Sequence, residues 1–232
     1  MADEDISLFD AIFNCRAMRR LSPDPVDEAL LVRLVEAAQQ APSGSNAQDR
    51  QWIIVRDPEL KEALAEFNRA SALPYIQATR DMMDKVEADG PQAEGVSDIG
   101  AMSGWVGHQS VEKRRRMFDS IEHQAMHLGE TPALIIGCLQ FENEPPEAFM
   151  AGSGAGAEVW PAVQNLLLAA RALGLGAVPT TLPLVNRAAV QELLGLPKTV
   201  VPLCLIPVGH PLGNFGPVSR RPVQEVLHFD RW

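Results

Sequence analysis

Cysteine, tyrosine and long apolar runs are scarce in this chain of 232 residues. The three cysteines, Cys15, Cys138 and Cys204, lie far apart, and no pair has the spacing of a metal or redox motif, which predicts reduced thiols. No apolar run reaches the roughly 20 residues that a membrane-spanning helix needs. The acidic start "MADEDISLFD" lacks the apolar core of a signal peptide. These absences predict a cytoplasmic protein without a membrane segment.

Positive charge is also in the minority. Lys and Arg total 20 against 30 Asp and Glu, which gives a net charge of -10 and a pI near 5.0. This balance disfavours a general nucleic-acid or anionic-membrane surface, because both need excess positive charge. The hydrophobic fraction of 46% is ordinary for a globular protein, and the length predicts one domain over residues 1–232.

Apolar periodicity predicts the main elements. Strands are expected at 51–57 and 133–141, and helices at 26–40, 59–69, 110–128 and 159–176. Ser7, with Asp10 three residues later, is expected to cap a first helix. The last helix should begin at Pro161 and end at Gly174 and Gly176; it is apolar on most faces, as expected at a subunit interface. The apolar residues of 70–120 follow no clear helical or strand periodicity, and this stretch is interpreted as an insertion or lid. The tail from 220 to 232 keeps apolar residues that should dock on another surface.

The stretch "RAMRRLSPDPV" concentrates positive charge in an acidic chain. Arg16, Arg19 and Arg20 fall within five positions. Guanidinium groups bind phosphate well through paired hydrogen bonds, although many charge clusters are simply solvated. A phosphate group is therefore one candidate ligand of this segment.

Three other short segments could reach a ligand. The turn "APSGSNAQ" (41–48) offers compact hydrogen-bonding side chains after a helix, "GLGAVPTTLP" (174–183) combines glycines with Thr180 and Thr181, and "RR" occurs at 220–221. Glycine permits close backbone approach to a ligand. Each segment alone is explained equally well as a helix end or a loop.

In this order, the four segments resemble the FMN-dependent nitroreductase superfamily. Successive segments of that family are similar to "LVRLVEAAQQAPSGSNAQ", "AVQNLLLAARALGLGA", "LIPVGHP" and "RRPVQEVLHFDRW". The resemblance covers nearly the whole chain outside 70–120. It implies an α+β fold with a central, mostly antiparallel sheet between helical layers. It also implies a homodimer, a long central helix at the dimer interface, and FMN in the cleft between subunits.

The resemblance also implies the residues that would bind FMN. Arg16 and Arg19 would contact the phosphate or flavin edge, with Arg20 as a substitute. The full expected set is Arg16, Ala17, Met18, Arg19, Arg20, Pro42, Ser43, Asn46, Gln48, Thr180, Thr181 and Arg220. Three places depart from the family pattern: Cys15 stands where many relatives have arginine, Ala17 replaces a common serine, and "QDRQW" replaces "QPW". No catalytic side chain and no metal are expected.

Three motifs suggest other functions but lack the context these would need. "GSGAGA" (152–157) does not directly follow a strand, as a dinucleotide-binding fingerprint must. His123 and His127 could share a helix face, but a zinc site needs further ligands. "EKRRR" (112–116) is interpreted as a solvated helix face or, alternatively, as a contact for the extra phosphate of NADPH.

The expected activity is reduction of a nitroaromatic, quinone or related small aromatic acceptor by NADPH or NADH through FMN, in a ping-pong cycle. Two alternatives stay open. "TTLPL" and "LIPVGHP" also resemble the dehalogenase branch of the superfamily, which acts on halotyrosines, and the chain's one tyrosine, Tyr75, lies in the expected lid. The other alternative is a flavin-storage protein without turnover.

Overall fold

A computed structural model describes residues 6–89, 111–145 and 153–232. Its helices are α1 (Leu8–Asn14), α2 (Glu28–Gln39), α3 (Pro58–Asp89), α4 (Val111–His127), α5 (Ser153–Ala172) and α6 (Arg187–Leu193). Its strands are β1 (Arg50–Val55), β2 (Ala133–Gln140), β3 (Gly176–Ala177) and β4 (Val200–Gly209). The strands form one sheet in the order β1-β2-β4-β3, with every neighbouring pair antiparallel.

The sheet is buried on both faces by helices. Successive side chains of a strand point to opposite faces, and β2 shows this directly. Ile135 packs with α2 and α5 residues such as Leu34 and Leu166. Its neighbour Ile136 packs in a second cluster with Leu64 of α3. A strand buried on both faces must be apolar throughout, which explains the unbroken "ALIIGCL" run. The predicted α+β sandwich is confirmed.

Some helix boundaries agree with the sequence prediction. The Ser7 Oγ accepts the Asp10 N–H at 3.1 Å and begins α1 as predicted. Asp27 begins α2 in the same way, through the Ala29 N–H at 3.0 Å. Gly174 ends α5 with a φ of 72°, a left-handed conformation that glycine adopts without strain. Local side-chain and backbone chemistry decides these three positions.

Two other boundaries were predicted wrongly, both at prolines. α5 begins at Ser153, so Pro161 lies inside the helix and does not open it. α3 runs through Pro74 to Asp89, although the sequence predicted an end near Arg69. Both prolines are exposed, so the bend that proline imposes can be accommodated on the solvent side of each helix.

The segment interpreted as a lid is partly helical. Residues 70–89 continue α3, and α4 packs against them through Phe118 and Ala125, beside Ile76 and Met83. Met83 belongs to this cluster, and Met82 beside it is buried as well. Trp105 and the rest of 90–110 lie outside the described residues, and the lid itself stays a prediction.

Candidate functional site

The backbone that carries the N-terminal arginines is fixed against the edge of the sheet. The Met18 N–H donates to the Ala177 carbonyl at 3.3 Å, and the Ser22 N–H donates to the His210 carbonyl at 2.8 Å. The Leu212 N–H donates to the Arg20 carbonyl at 3.0 Å. Residues 18–22 therefore form an extended segment beside β3 and the end of β4.

The arginines of this segment have different surroundings. Arg16 and Arg20 are exposed, as is Ala17, whereas Met18 is buried. Arg19 is half-buried under α4, where its Nη1 donates to Ser120 Oγ at 3.4 Å. Desolvation lowers the pKa of the Arg19 guanidinium. Arg16 and Arg20 thus face solvent where an anion could reach them, while Arg19 reaches toward α4.

Gly176 lets the arginine segment lie close to the sheet. A Cβ at this position would meet Leu21 Cδ2 at 2.6 Å, Met18 Cβ at 3.0 Å and Pro211 Cβ at 3.2 Å. We expect Gly176→Ala to displace residues 18–22 and to lower the free energy of unfolding by about 1–3 kcal/mol. Denaturant unfolding measures this effect. Gly216→Ala is the matched control, because its Cβ would meet nothing within 4 Å; equal stability of the two variants would contradict the prediction.

The turn "APSGSNAQ" has unusual backbone geometry. Ser45, Asn46 and Gln48 have φ values of 51°, 54° and 55°, in the left-handed region that side chains other than glycine rarely occupy. Strained residues of this kind cluster at ligand-binding sites. Of the predicted turn residues, Pro42, Asn46 and Gln48 are exposed and Ser43 is half-buried, its Oγ accepting the Gln48 N–H at 3.1 Å.

Two side chains that the sequence analysis did not select hold this turn in place. Both carboxylate oxygens of Glu158 on α5 accept the Gly44 N–H, at 3.0 and 3.1 Å. Arg50 is buried and donates to the carbonyls of Ala41 at 2.6 Å, and of Pro42 and Glu158 at 3.2 Å. For Arg50, the sequence did contain a signal: a charged residue at the start of a predicted strand, within the "QDRQW" that departs from the family pattern.

The remaining predicted residues lie on the arginine side of the molecule. Thr180 exchanges two backbone hydrogen bonds with Leu205 of β4, at 2.8 and 2.9 Å, and Thr181 beside it is exposed. Arg220 is exposed and donates to the Ser219 carbonyl at 3.0 Å. The Val218 N–H donates to the Phe13 carbonyl at 3.2 Å, which places Arg220 near the end of α1.

The predicted residues form two groups that contact α5 at different places. The turn contacts Glu158, near the beginning of the helix. The arginine segment begins where Cys15 Sγ contacts the Leu167 carbonyl at 3.8 Å, and it continues to Ala177 beyond the helix end. A helix rises about 1.5 Å per residue, so Glu158 is roughly 14 Å from Leu167 and roughly 20 Å from the end of α5. One subunit therefore presents two separated groups of candidate residues, which we call the two half-sites.

The other candidate chemistries find little support. Burial raises the pKa of Cys138 and of Cys204 to about 12, so both thiols stay protonated at neutral pH. His123 and His127 are adjacent, with ring centroids 4.3 Å apart, but no cluster of three metal-binding side chains occurs in the described ranges. Across those ranges, too, no helix is both long and apolar enough to cross a membrane.

Comparison with known proteins finds relatives over nearly the whole chain. The chain is 29% identical to an NADH dehydrogenase of Thermus thermophilus, over 91% of this chain and 90% of the relative. It is 26% identical to an FMN reductase of Bacillus subtilis (92% and 69%) and 25% identical to an iodotyrosine deiodinase of Thermotoga neapolitana (95% of each).

A solved structure shares the whole fold. The BluB-like flavoprotein of Clostridium difficile superposes with a TM-score of 0.66 at 20% identity, covering 97% of this chain and 100% of the other. The sequence model of the nitroreductase family matches residues 12–210, which include both half-sites except Arg220. The chain therefore belongs to the nitroreductase family and is an oxidoreductase of the nitroreductase type.

Proposed function

We propose that this protein is an FMN-dependent NAD(P)H oxidoreductase that reduces nitroaromatic, quinone or related aromatic acceptors. The proposal rests on the exposure of Arg16 and Arg20 and on their lack of carboxylate partners. Both are exposed on a backbone fixed to the sheet, and neither has a carboxylate within ion-pair distance in the described part of the chain. By contrast, surface arginines such as Arg33, Arg56 and Arg115 have carboxylate partners at 2.6–2.9 Å.

The residues present fit an FMN phosphate. A phosphate dianion needs several charge-assisted hydrogen bonds, and guanidinium groups supply them in pairs. Arg16, Arg20 and Arg220 provide three exposed guanidinium groups on neighbouring segments. The left-handed turn provides backbone and side-chain groups suited to the flavin ring, with Asn46 and Gln48 exposed.

The separation of the two half-sites supports a homodimer. In a two-fold symmetric dimer whose α5 helices run antiparallel, the turn of one subunit lies beside the arginine segment of its partner. Each FMN would then be held by residues of both chains. The distance along α5 from Glu158 to the contacts of the arginine segment, roughly 14–20 Å, favours a flavin shared by two subunits over one that spans a single subunit.

Exposed apolar surface supports the same assembly. Phe9 and Phe13 of α1 are 69% and 63% exposed, and Trp160 of α5 is 42% exposed. In the tail, Phe229 is 81% exposed and Trp232 is fully exposed. Large exposed apolar side chains in contiguous groups mark protein interfaces. A partner subunit that covers these surfaces would bury α1, the exposed side of α5 and the tail.

The protein's own residues would bind and orient, while FMN supplies the ability to accept and release a hydride. Arg16, Arg20 and Arg220 would hold the phosphate, while Glu158 and Arg50 keep the turn in its strained shape. Donors near the flavin would stabilise the negative charge that reduction produces. Because the two substrates would use one cleft in turn, double-reciprocal plots of the initial rate should give parallel lines when both substrate concentrations are varied.

The activity is tested by mixing the flavin-loaded protein with NADH and then NADPH without oxygen. We expect loss of the visible flavin absorbance with at least one of them, and its return when a quinone or nitroaromatic is added. Retention of the absorbance with both nucleotides would contradict the proposal and favour flavin storage. Intersecting lines in the double-reciprocal plots would contradict the ping-pong order but not the oxidoreductase activity.

A deiodinase activity is the second candidate, because one relative carries that name. Tyr75 lies on α3, is 42% exposed, and its ring is 6.1 Å from that of Phe118. Release of halide from a halotyrosine under reducing conditions would favour this activity. Turnover of the nitroaromatic without halide release would favour the first.

A further inference from the structure

Arg171, which the sequence analysis did not select, lies beside the arginine segment. It is in the last turn of α5, four residues after Leu167, whose carbonyl contacts Cys15 Sγ at 3.8 Å. Residues four apart share one face of a helix, so Arg171 is on the side of α5 that meets this segment. Its charge acts there as well, because burial raises the pKa of the Cys15 thiol and the Arg171 guanidinium opposes that rise.

An aromatic ring of the tail fixes the orientation of the Arg171 guanidinium. The Arg171 Cζ lies 4.3 Å from the centroid of the Phe215 ring. Phe215 is itself held beside the arginine segment, because the backbone on either side of it donates hydrogen bonds to the carbonyls of Arg20 and Phe13. A cation–π contact uses the face of the guanidinium plane, so the N–H groups, which point outward in that plane, stay free to donate.

The N–H groups of Arg171 have no acceptor among the described residues. The side chain is half-buried, makes no hydrogen bond or ion pair within those residues, and its Nε is buried without a partner. Arg69 and Arg80 are also half-buried, and each of them pairs with carboxylates at 2.6–2.8 Å. Arg171 is therefore fixed in place but, in the described part of the chain, lacks the counter-charge that comparable arginines have.

We propose that Arg171 is a fourth arginine of the FMN phosphate site, beside Arg16, Arg20 and Arg220. This inference rests on the proposed function, because it concerns the same phosphate. An arginine that is already oriented loses less side-chain freedom when it binds a phosphate than a mobile one does. Arg16 and Arg20 are exposed, whereas the ring of Phe215 orients Arg171 before any ligand binds.

A purely structural role for Arg171 makes a different prediction. A cation in the last turn of a helix interacts favourably with the helix dipole, and Arg171 occupies such a position without any ligand. Loss of a cation that only stabilises the helix end would change the binding of every flavin alike. Loss of a phosphate ligand would weaken the binding of FMN and spare riboflavin, which is the same flavin without its phosphate.

The test is titration of FMN and of riboflavin by flavin fluorescence, with the purified full-length protein. Arg171→Gln should bind FMN at least about tenfold more weakly than wild type, because hydrogen bonds to a charged group are lost. Its affinity for riboflavin should stay within about twofold of wild type, since riboflavin has no phosphate to lose. Arg171→Lys should recover part of the FMN affinity, because lysine keeps the charge but not the paired donors.

Arg187→Gln is the matched control. Arg187 is half-buried, and its Nε is buried without a partner as well. It lies on α6, where Gln191 one turn later donates to the Val200 carbonyl at the start of β4, whereas the arginine segment lies beside the end of that strand. We expect Arg187→Gln to bind FMN within about twofold of wild type, because effects at separated sites are independent.

Two results would overturn the inference and leave the proposed function intact. One is an Arg171→Gln protein that binds FMN as tightly as Arg187→Gln, and the other is an equal loss of affinity for FMN and riboflavin. A wild-type protein that binds no FMN would contradict the proposed function and the inference together.

A crystal structure of the wild-type protein with FMN gives a readout that needs no variant. A phosphate oxygen within hydrogen-bond distance of the Arg171 guanidinium is expected. A phosphate bound by the other arginines, with Arg171 stacked on Phe215 and out of contact, would overturn the inference even if the Arg171→Gln protein failed to fold.

Discussion

Replacing Arg16 and Arg20 together by glutamine should weaken FMN binding by at least about 100-fold. Each hydrogen bond to a charged group contributes about 1.5–3 kcal/mol, so two lost guanidinium contacts correspond to roughly 3–6 kcal/mol. The fold should survive, because both side chains are exposed and their backbone hydrogen bonds remain. Titration of FMN fluorescence gives the affinity, and circular dichroism checks the fold.

The control for this double variant removes two arginines that already have partners. Arg33 pairs with Glu36 and Arg56 pairs with Glu28, so neither is available to a phosphate. Arg33→Gln/Arg56→Gln changes the net charge equally and should leave FMN affinity within about twofold, since exposed ion pairs contribute little. An Arg16→Gln/Arg20→Gln protein that binds FMN as tightly as this control would show that these arginines do not hold the phosphate.

Replacing Arg50 by methionine should lower the free energy of unfolding by about 2–4 kcal/mol. The guanidinium is buried and serves three carbonyl groups, those of Ala41, Pro42 and Glu158. Methionine fills similar space but donates no hydrogen bond, so these carbonyls would lose their shared donor. FMN affinity should fall as well, because the same contacts hold the turn.

Urea unfolding at a fixed protein concentration measures the Arg50 effect, since the stability of the proposed dimer would depend on concentration. Arg56→Met is the matched control, because Arg56 lies one residue beyond β1 and is exposed. We expect it to stay within about 0.5 kcal/mol of wild type. An Arg50→Met protein as stable as Arg56→Met would mean that the carbonyls find other donors.

The parts of the fold that follow local rules could be predicted from the sequence. Ser7 begins α1, Gly174 ends α5, and the apolar run of β2 is a buried strand, because each depends on nearby residues. The starts and ends that depend on distant packing could not be predicted. Pro161 and Pro74 signal helix breaks locally, yet both lie within helices that the rest of the protein holds in place.

The candidate site shows the same division. The resemblance to the family selected the two half-sites as sets of residues, and the structure gives their positions on α5. The resemblance could not select Arg50 or Glu158, because these side chains bind segments that are distant in the sequence. Glu158, for example, binds Gly44, 114 residues away in the chain. Nor could it show that Arg19 differs from Arg16 and Arg20, since that depends on α4, about one hundred residues further along.

Each FMN is proposed to be held by the arginine segment of one subunit and the turn of its partner. The most direct test mixes Arg16→Gln/Arg20→Gln subunits with Ser43→Ala/Asn46→Gly subunits, in which glycine keeps the left-handed backbone of residue 46. FMN is added at a concentration that leaves both altered homodimers nearly empty. Mixed dimers should then bind one FMN each, because one of their two sites contains no substitution. Mixed dimers that bind no FMN would contradict the claim, since every site confined to one subunit would carry a defect.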